Sequence, residues 1–128
     1  MYGLKPDIDL NFFVGRDLNA VTVGPFDVQF NFDGPVLSPG VQSLLSLAVQ
    51  SRIEHSSKEI VNEWEGAENN PPSAASLLGL VGKSVVSVYG DPDGTLTLTF
   101  SNGDVVTVFD HEGYEAYQIC YEDQRIYV

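Results

Sequence analysis

The feature that most constrains the fold is a two-residue alternation in the second half of the chain. The stretch "TLTLTF" (95–100) alternates threonine with leucine and phenylalanine, and "VVTVF" (105–109) has a similar β-branched composition. Neighbouring side chains of a strand point to opposite faces, so each strand is predicted to bury one face and expose the other. The intervening "SNG" (101–103) contains Asn-Gly, which is typical of a tight hairpin. The sequence therefore predicts antiparallel strands.

The two halves of the chain resemble each other. Val14-Gly15-Arg16 matches Val81-Gly82-Lys83 at an offset of 67 residues. Further along, the alternating apolar residues of "FDVQFNF" (26–32) match those of 95–100 at an offset of 68 residues. A steady offset over separate segments predicts an internal duplication. We therefore expect a single domain, 1–128, built of two related halves (about 8–66 and 74–128) and joined by a Pro/Asn-rich linker, 67–73.

Other segments are less regular. Residues 41–54 fit either a helix or a strand, and the strand is preferred because the repeat aligns them with "YEAYQIC". Ser56 followed by Glu59 forms a capping box that predicts a helix ending near Gly66. A second short helix is expected over "SAASLLGL" (73–80). The predicted fold class is mainly β (α+β), with antiparallel strands in two duplicated halves packed as a sandwich or barrel and one or two short helices.

The charge balance limits the classes of partner. Eighteen acidic against six basic residues give a formal net charge of −12. Such a surface repels nucleic-acid phosphates and anionic lipids, so binding to nucleic acid or to a membrane is not expected. Two interpretations remain, namely solubility alone or an electrostatic match to a basic protein. Cys120 is the single cysteine, so no internal disulfide forms, and the N-terminal residues lack a signal-peptide pattern. A cytoplasmic location is expected.

Metal and nucleophile chemistry find little support. His55, His111 and Cys120 are too scattered for a zinc site, and "DPDG" (91–94) is interpreted as a hairpin turn rather than a calcium loop. No serine lies in a nucleophile elbow, and Cys120 is interpreted as a small, partly buried thiol on a strand. The sequence predicts no cofactor, no metal and no catalytic residues, and it favours a non-enzymatic role.

The C-terminal stretch "FDHEGYEAYQICYEDQRIYV" (109–128) carries the most chemistry. It combines five carboxylates and four tyrosines with one histidine and one cysteine. On a strand over 115–121, the odd-numbered residues share one face, which would present tyrosine rings beside acids. Tyrosine is favoured at interfaces, and acids steer basic partners. The predicted partner-binding residues are Asp110, Glu112, Tyr114, Glu115, Tyr117, Tyr121, Glu122 and Asp123. The alternative is that the tyrosines belong to the core and the acids form a solvated rim.

The Gly-basic-x-Val-x-x-Val opening, the Leu-x-Leu-x-Phe-x-Asn-Gly hairpin and "YEAYQI" resemble small uncharacterised bacterial domains of actinobacterial type. Some of these domains are similar to the immunity proteins of polymorphic toxin systems. The resemblance covers mainly residues 77–119, and it implies no catalytic residues. What it implies is a small acidic protein that blocks the active site of a basic toxin, such as a nuclease.

Three hypotheses follow. The first is an immunity-type inhibitor that binds a basic protein partner through the residues named above. The second is a small ligand-binding or enzymatic β domain with a pocket between the halves and His111 or Asp110 at its mouth. The third is a structural module in which the aromatic face closes a homodimer.

Overall fold

A computed structural model describes residues 2–34, 36–39, 41–42 and 44–128 of the chain. It contains two five-stranded antiparallel sheets and a separate two-stranded ribbon. The strands of the first half are β1 (Leu18–Val23), β2 (Val28–Phe32), β3 (Val36–Ser38), β4 (Val41–Gln42), β5 (Leu45–Val49), β6 (Arg52–Ser57) and β7 (Ile60–Glu65). Those of the second half are β8 (Val85–Gly90), β9 (Leu96–Phe100), β10 (Val105–Phe109), β11 (Tyr117–Tyr121) and β12 (Gln124–Tyr127). The predicted strands of the second half are confirmed.

The first sheet has the order β1-β2-β5-β11-β12 and the second has the order β7-β6-β10-β9-β8. The described strands form two separate sheets rather than a closed barrel, so the sandwich is the arrangement present. Alternate residues of β2, β5 and β9 are buried, as the period-2 pattern predicts. The inner faces of both sheets contribute to one hydrophobic core, with Phe30, Leu47, Leu98 and Val106 among its fully buried side chains.

Each sheet combines three strands of one half of the chain with a hairpin of the other half. The β6–β7 hairpin leaves the first half to join β10, and the β11–β12 hairpin returns from the second half to join β5. Because of this exchange, strands that are far apart in the sequence are hydrogen-bonded to each other, β6 to β10 and β11 to β5. Neither half therefore has a complete sheet of its own.

Matched hydrogen bonds lie where the halves meet. The amide of Gly15 donates to the carbonyl of Val85, and the amide of Gly82 donates to that of Leu18, both at 2.8 Å. The two glycines have φ of +86° and +88°, a backbone conformation that favours glycine. A duplicated chain would produce such pairs, and the duplication itself stays a prediction.

The helix predicted over 56–66 is wrong. These residues form the end of β6, a two-residue turn with Lys58 at φ +55°, and β7. A capping box stabilises a helix by only about 1 kcal/mol, whereas the hairpin places Ile53, His55 and Trp64 in the interior. Tertiary packing therefore overrides the local signal.

Short helical segments also occur outside the strands. Three 3-10 segments cover Asn11–Phe13, Gly66–Glu68 and Pro71–Leu80. The last of these confirms helical structure near 73–80, but it begins within the stretch that was predicted to be an irregular linker. Residues 41–54, apart from Ser43, which lies outside the described residues, contain strands β4 and β5 and part of β6, so the strand interpretation is confirmed. No helix among the described residues is long and apolar enough to cross a membrane.

Candidate functional site

The sandwich separates the eight predicted partner-binding residues into three groups. Residues 110–116 connect β10 to β11, and residues 122–123 form the turn between β11 and β12. Because a strand rises about 3.3 Å per residue, residues 116 and 122, where the two loops meet β11, are separated by roughly 20 Å. Asp110, Glu112, Tyr114 and Glu115 therefore lie at one end of the sandwich. Tyr121, Glu122 and Asp123 lie at the other end, and Tyr117 lies between them.

Tyr117 belongs to the core and not to an exposed face. Its side chain is 2% exposed, and its hydroxyl donates a hydrogen bond to the carbonyl of Gly94 at 2.7 Å. Burial, together with the nearby charge of Asp93, raises the pKa of Tyr117 well above its ordinary value, so the hydroxyl remains a donor. The predicted exposed tyrosine face is therefore wrong at this position. β11 lies between β5 and β12, and its odd-numbered residues Tyr117 and Ile119 point into the core.

Tyr121 is also committed to internal packing, although it is only partly buried. Its ring stacks on Phe12 with 4.4 Å between the centroids. The guanidinium carbon of Arg16 lies 5.4 Å from the same ring, a cation–π distance. Glu122 and Asp123 are exposed on the adjoining turn, where Glu122 has φ of +55°. This end of β11 thus lacks the combination of free tyrosines and acids that the sequence predicted.

The end that holds residues 110–116 gathers acids from several connections. It includes the β1–β2 turn, the β5–β6 connection, the end of β7 with the residues that follow it, and the β8–β9 turn. We call this surface the acidic end. Its carboxylates are Asp27, Glu65, Glu68, Asp91, Asp93, Asp110, Glu112 and Glu115.

Arg52 lies next to the acidic end and is already paired. Its guanidinium lies 4.8 Å from the centre of the Phe109 ring. The same group forms ion pairs with three carboxylates, at 2.6 Å to Glu54, 3.0 Å to Glu63 and 3.8 Å to Glu65. Arg52 is therefore neutralised locally, and Glu112 and Glu115 keep their exposed negative charge.

His111 and Tyr114 organise the β10–β11 connection. Their rings stack with 4.0 Å between the centroids, and the amide of Gly113 donates to His111 Nδ1 at 2.9 Å. Asp110 accepts hydrogen bonds from the amides of His111 (2.6 Å) and Gly3 (3.3 Å). These contacts hold the loop in one conformation. Internal hydrogen bonds and ring stacking therefore order the loop that carries Glu112 and Glu115.

Two hollows border His111, as the second hypothesis requires. One, of about 500 Å³, has Tyr2, Asp93 and Glu112 in its wall, and the other, of about 340 Å³, has Arg52 and Tyr114. Among the described residues of the two walls, Ser51 is the one serine or cysteine, and its hydroxyl donates to the carbonyl of Phe109 rather than to a histidine. Within the described ranges, no three His, Cys, Asp or Glu side chains converge as metal ligands.

Aromatic residues at the acidic end were missed in the sequence. Phe26 in the β1–β2 turn is 57% exposed, and Tyr2 is 60% exposed. An apolar ring inside the turn "GPFD" was the available signal for Phe26, because turns ordinarily carry polar residues. The acidic end therefore combines exposed rings with carboxylates, although the rings come from residues outside the C-terminal stretch.

A buried polar chain was also missed. His55 Nδ1 lies 2.8 Å from Ser76 Oγ, and His55 Nε2 lies 2.8 Å from Asp104 Oδ2. Burial by itself raises the pKa of Asp104, but hydrogen bonds from His55, Ser57 and Asn102 outweigh it and lower the pKa below its ordinary value. Both ring nitrogens are occupied and the histidine is 4% exposed. These hydrogen bonds connect the Pro71–Leu80 segment and the β9–β10 turn to β6, so their role is structural.

Cys120 faces the outer side of the first sheet. It is partly buried, and Gln118 Nε2 lies 3.3 Å from its sulfur. It borders a hollow of about 490 Å³ whose described wall contains Asn31, Ser46 and Arg125 but no histidine. The predicted small thiol on a strand agrees with this environment.

The sequence model of one protein family, described as a family of unknown function (DUF6188), matches residues 12–128. Neither a curated protein nor a solved structure matches the chain. The match covers both sheets from β1 to β12, so it includes the acidic end as well as the core. The chain belongs to the DUF6188 family, a family of unknown function.

Proposed function

We propose that this protein is a non-enzymatic, immunity-type inhibitor that binds a basic bacterial toxin through its acidic end. The observation that carries the proposal is the juxtaposition there of exposed carboxylates with exposed aromatic rings. Glu112 and Glu115 are exposed on the β10–β11 connection, and Phe26 and Tyr2 are exposed on neighbouring segments. Aromatic rings supply contact area, and acids supply charge complementarity to a basic surface.

Order in the loop also supports the proposal. A loop that is already held in its binding conformation loses less conformational entropy when the partner binds. The stacking of His111 on Tyr114 and the hydrogen bonds of Asp110 provide that order. The acidic end would thus act as a rigid block of negative charge that covers the basic active site of the partner.

The charge of the whole molecule adds a kinetic advantage. A formal net charge of −12 accelerates encounter with a basic protein, and added salt weakens this attraction. An inhibitor that must reach a toxin before the toxin reaches its substrate benefits from fast association. The proposal therefore requires that binding weakens as the salt concentration rises.

The test begins with a search of the genes that flank this one for a basic toxin, and it uses the toxin that this search identifies. The paired variants are Glu112→Gln/Glu115→Gln at the acidic end and Glu59→Gln/Asp123→Asn at the opposite end, and each removes two negative charges. We expect the first pair to weaken binding at least tenfold in calorimetric titrations and to abolish protection from the co-expressed toxin. The control pair should change the affinity less than threefold.

Equal losses for both pairs would mean that net charge alone matters, which would contradict a role for the acidic end. A gene neighbourhood without any toxin, or a toxin that does not bind the wild-type protein, would contradict the proposal as a whole.

A further inference from the structure

A second surface, which adjoins the acidic end at Tyr2, differs from it in chemistry. A groove of about 420 Å³ runs between β12 and the N-terminal residues 2–8. Its walls are largely apolar, with Leu4, Ile8 and Ile126 inside and the rings of Tyr2 and Tyr127 at the rim. The groove lies along an edge of the first sheet, because β12 is the last strand in that sheet.

The free edge of β12 offers backbone hydrogen-bonding groups to this groove. The amide of Val128 donates to the carbonyl of Tyr117, so residue 128 directs its backbone groups towards β11. This direction alternates along an antiparallel strand, so Arg125 and Tyr127 direct theirs away from the sheet. Residues 2–8 make no backbone hydrogen bond to β12. A row of donors and acceptors is therefore available for another strand.

On the opposite side of the sandwich, the edge strand is covered by a longer segment. There β7 is the edge strand of the second sheet, and the ten-residue segment Pro71–Leu80 packs against both β7 and β1. That segment buries Ala74, Leu77 and Leu80. Along β12, the described part of the chain places the shorter stretch of residues 2–8, which leaves the groove open.

The charge in the groove is opposite to that of the protein. Lys5 and Arg125 are two of only six basic residues in the chain, and none of the described residues that line the same walls is acidic. Lys5 is exposed and forms no ion pair with the described residues. Arg125 Nη1 donates to the carbonyls of Glu122 and Gln124, at 3.3 and 3.1 Å, which holds the guanidinium at the rim. The local charge thus favours an anionic occupant.

We propose that this groove binds an extended acidic peptide segment of a partner protein, which adds to β12 as a further strand of the first sheet. The peptide backbone pairs with Arg125 and Tyr127, one apolar side chain enters the space beside Leu4 and Ile126, and an acidic side chain meets Lys5 and Arg125. Strand addition of this kind takes affinity from the main chain and specificity from pockets for alternate side chains. The inference is independent of the proposed inhibitor function.

The test begins with a library of short random peptides displayed on phage and selected against the intact protein. The enriched peptides are then synthesised and titrated into wild type and variants. We expect enrichment of acidic peptides with alternating apolar residues. Binding should weaken at least tenfold in Lys5→Glu/Arg125→Glu and less than threefold in Lys58→Glu/Lys83→Glu, a control pair with the same change in charge.

The strand geometry is tested separately by Tyr127→Pro. Proline removes an amide that points away from β11, so the sheet should stay folded while strand addition is lost. Peptide-induced amide shifts in NMR spectra of the wild type should be largest at Arg125 and Tyr127. Enrichment of basic or charge-neutral peptides, equal binding to both charge-reversed pairs, or shifts confined to another edge would overturn the proposal. So would a folded Tyr127→Pro variant that binds the selected peptides unchanged.

Discussion

The hydroxyl of Tyr117 donates a hydrogen bond to the carbonyl of Gly94, with 2.7 Å between the two oxygen atoms. This bond connects β11 of the first sheet to the β8–β9 turn of the second sheet. Gly94 has φ of +100°, and a Cβ at this position would overlap the carboxylate of Asp110. The bond therefore holds together two connections that build the acidic end.

We expect Tyr117→Phe to lower the free energy of unfolding by about 1–3 kcal/mol, because a buried carbonyl loses its donor. Urea denaturation monitored by circular dichroism measures this change. Tyr89→Phe serves as a control, since Tyr89 is 62% exposed, and it should change the stability by less than about 0.5 kcal/mol. Equal effects of the two substitutions would mean that the Tyr117 bond contributes no specific stability.

The pair of His55 and Asp104 predicts a dependence of stability on pH. The pKa of Asp104 is lowered in the folded protein, so its carboxylate contributes stability above the unfolded value, near 3.8, and loses it as the pH falls through the folded value. We expect Asp104→Asn to destabilise the protein by about 2 kcal/mol at pH 7. The difference from wild type should shrink at acidic pH.

Urea denaturation at neutral and acidic pH checks this prediction. Asp123→Asn is the matched control, because Asp123 is exposed on the turn at the end of β11. A destabilisation by Asp104→Asn that is the same at both pH values would contradict the assigned role of the carboxylate.

Two glycines with different surroundings give a matched pair. A Cβ on Gly66 would overlap the carbonyl oxygen of Gln50 and lie 2.8 Å from that of Phe26, whereas a Cβ on Gly79 meets nothing within 4 Å. We expect Gly66→Ala to destabilise the protein by about 2 kcal/mol or more, because backbone atoms must move. Gly79→Ala should be neutral or slightly stabilising. Thermal unfolding distinguishes the two outcomes, and similar melting temperatures would contradict the packing described around Gly66.

We expect substitution of Phe26 to weaken partner binding without changing the stability of the fold. Its ring is 57% exposed at the acidic end, so Phe26→Ala should change the free energy of unfolding by less than about 0.5 kcal/mol. If the acidic end binds the proposed toxin, the same substitution should weaken binding by about tenfold, because aromatic anchors carry much of the interface energy. Ile60→Ala is the control, since Ile60 is 65% exposed in β7, just after the β6–β7 turn at the opposite end. Equal effects of both substitutions on binding would exclude Phe26 from the interface.

The sequence predicted well wherever the determining interactions are local. The alternation in 95–100 and the Asn102-Gly103 turn depend on neighbouring residues, and both β9 and the hairpin to β10 are present. The helix over 56–66 failed although its capping box is also a local signal. Its weak preference lost to the pairing of β6 with β10 and to the burial of Ile53, His55 and Trp64, which depend on residues far away in the sequence.

The site was predicted only in part for the same physical reason. That the C-terminal stretch is acidic and aromatic was readable from the residues themselves. Tyr117 points inward because β11 lies between β5 and β12. His55 contacts Ser76 and Asp104, which are 21 and 49 residues away in the sequence.

The sequence by itself determined the alternating strands β9 and β10 with the hairpin between them, and the excess of negative charge, because these follow from residue type and spacing. Only the tertiary structure decided which charges and rings share one end. The hairpins β6–β7 and β11–β12 each join the sheet of the other half, and this long-range pairing decides which connections meet at each end of the sandwich. The same pairing brings Phe26 and Glu112, which are far apart in sequence, to one surface.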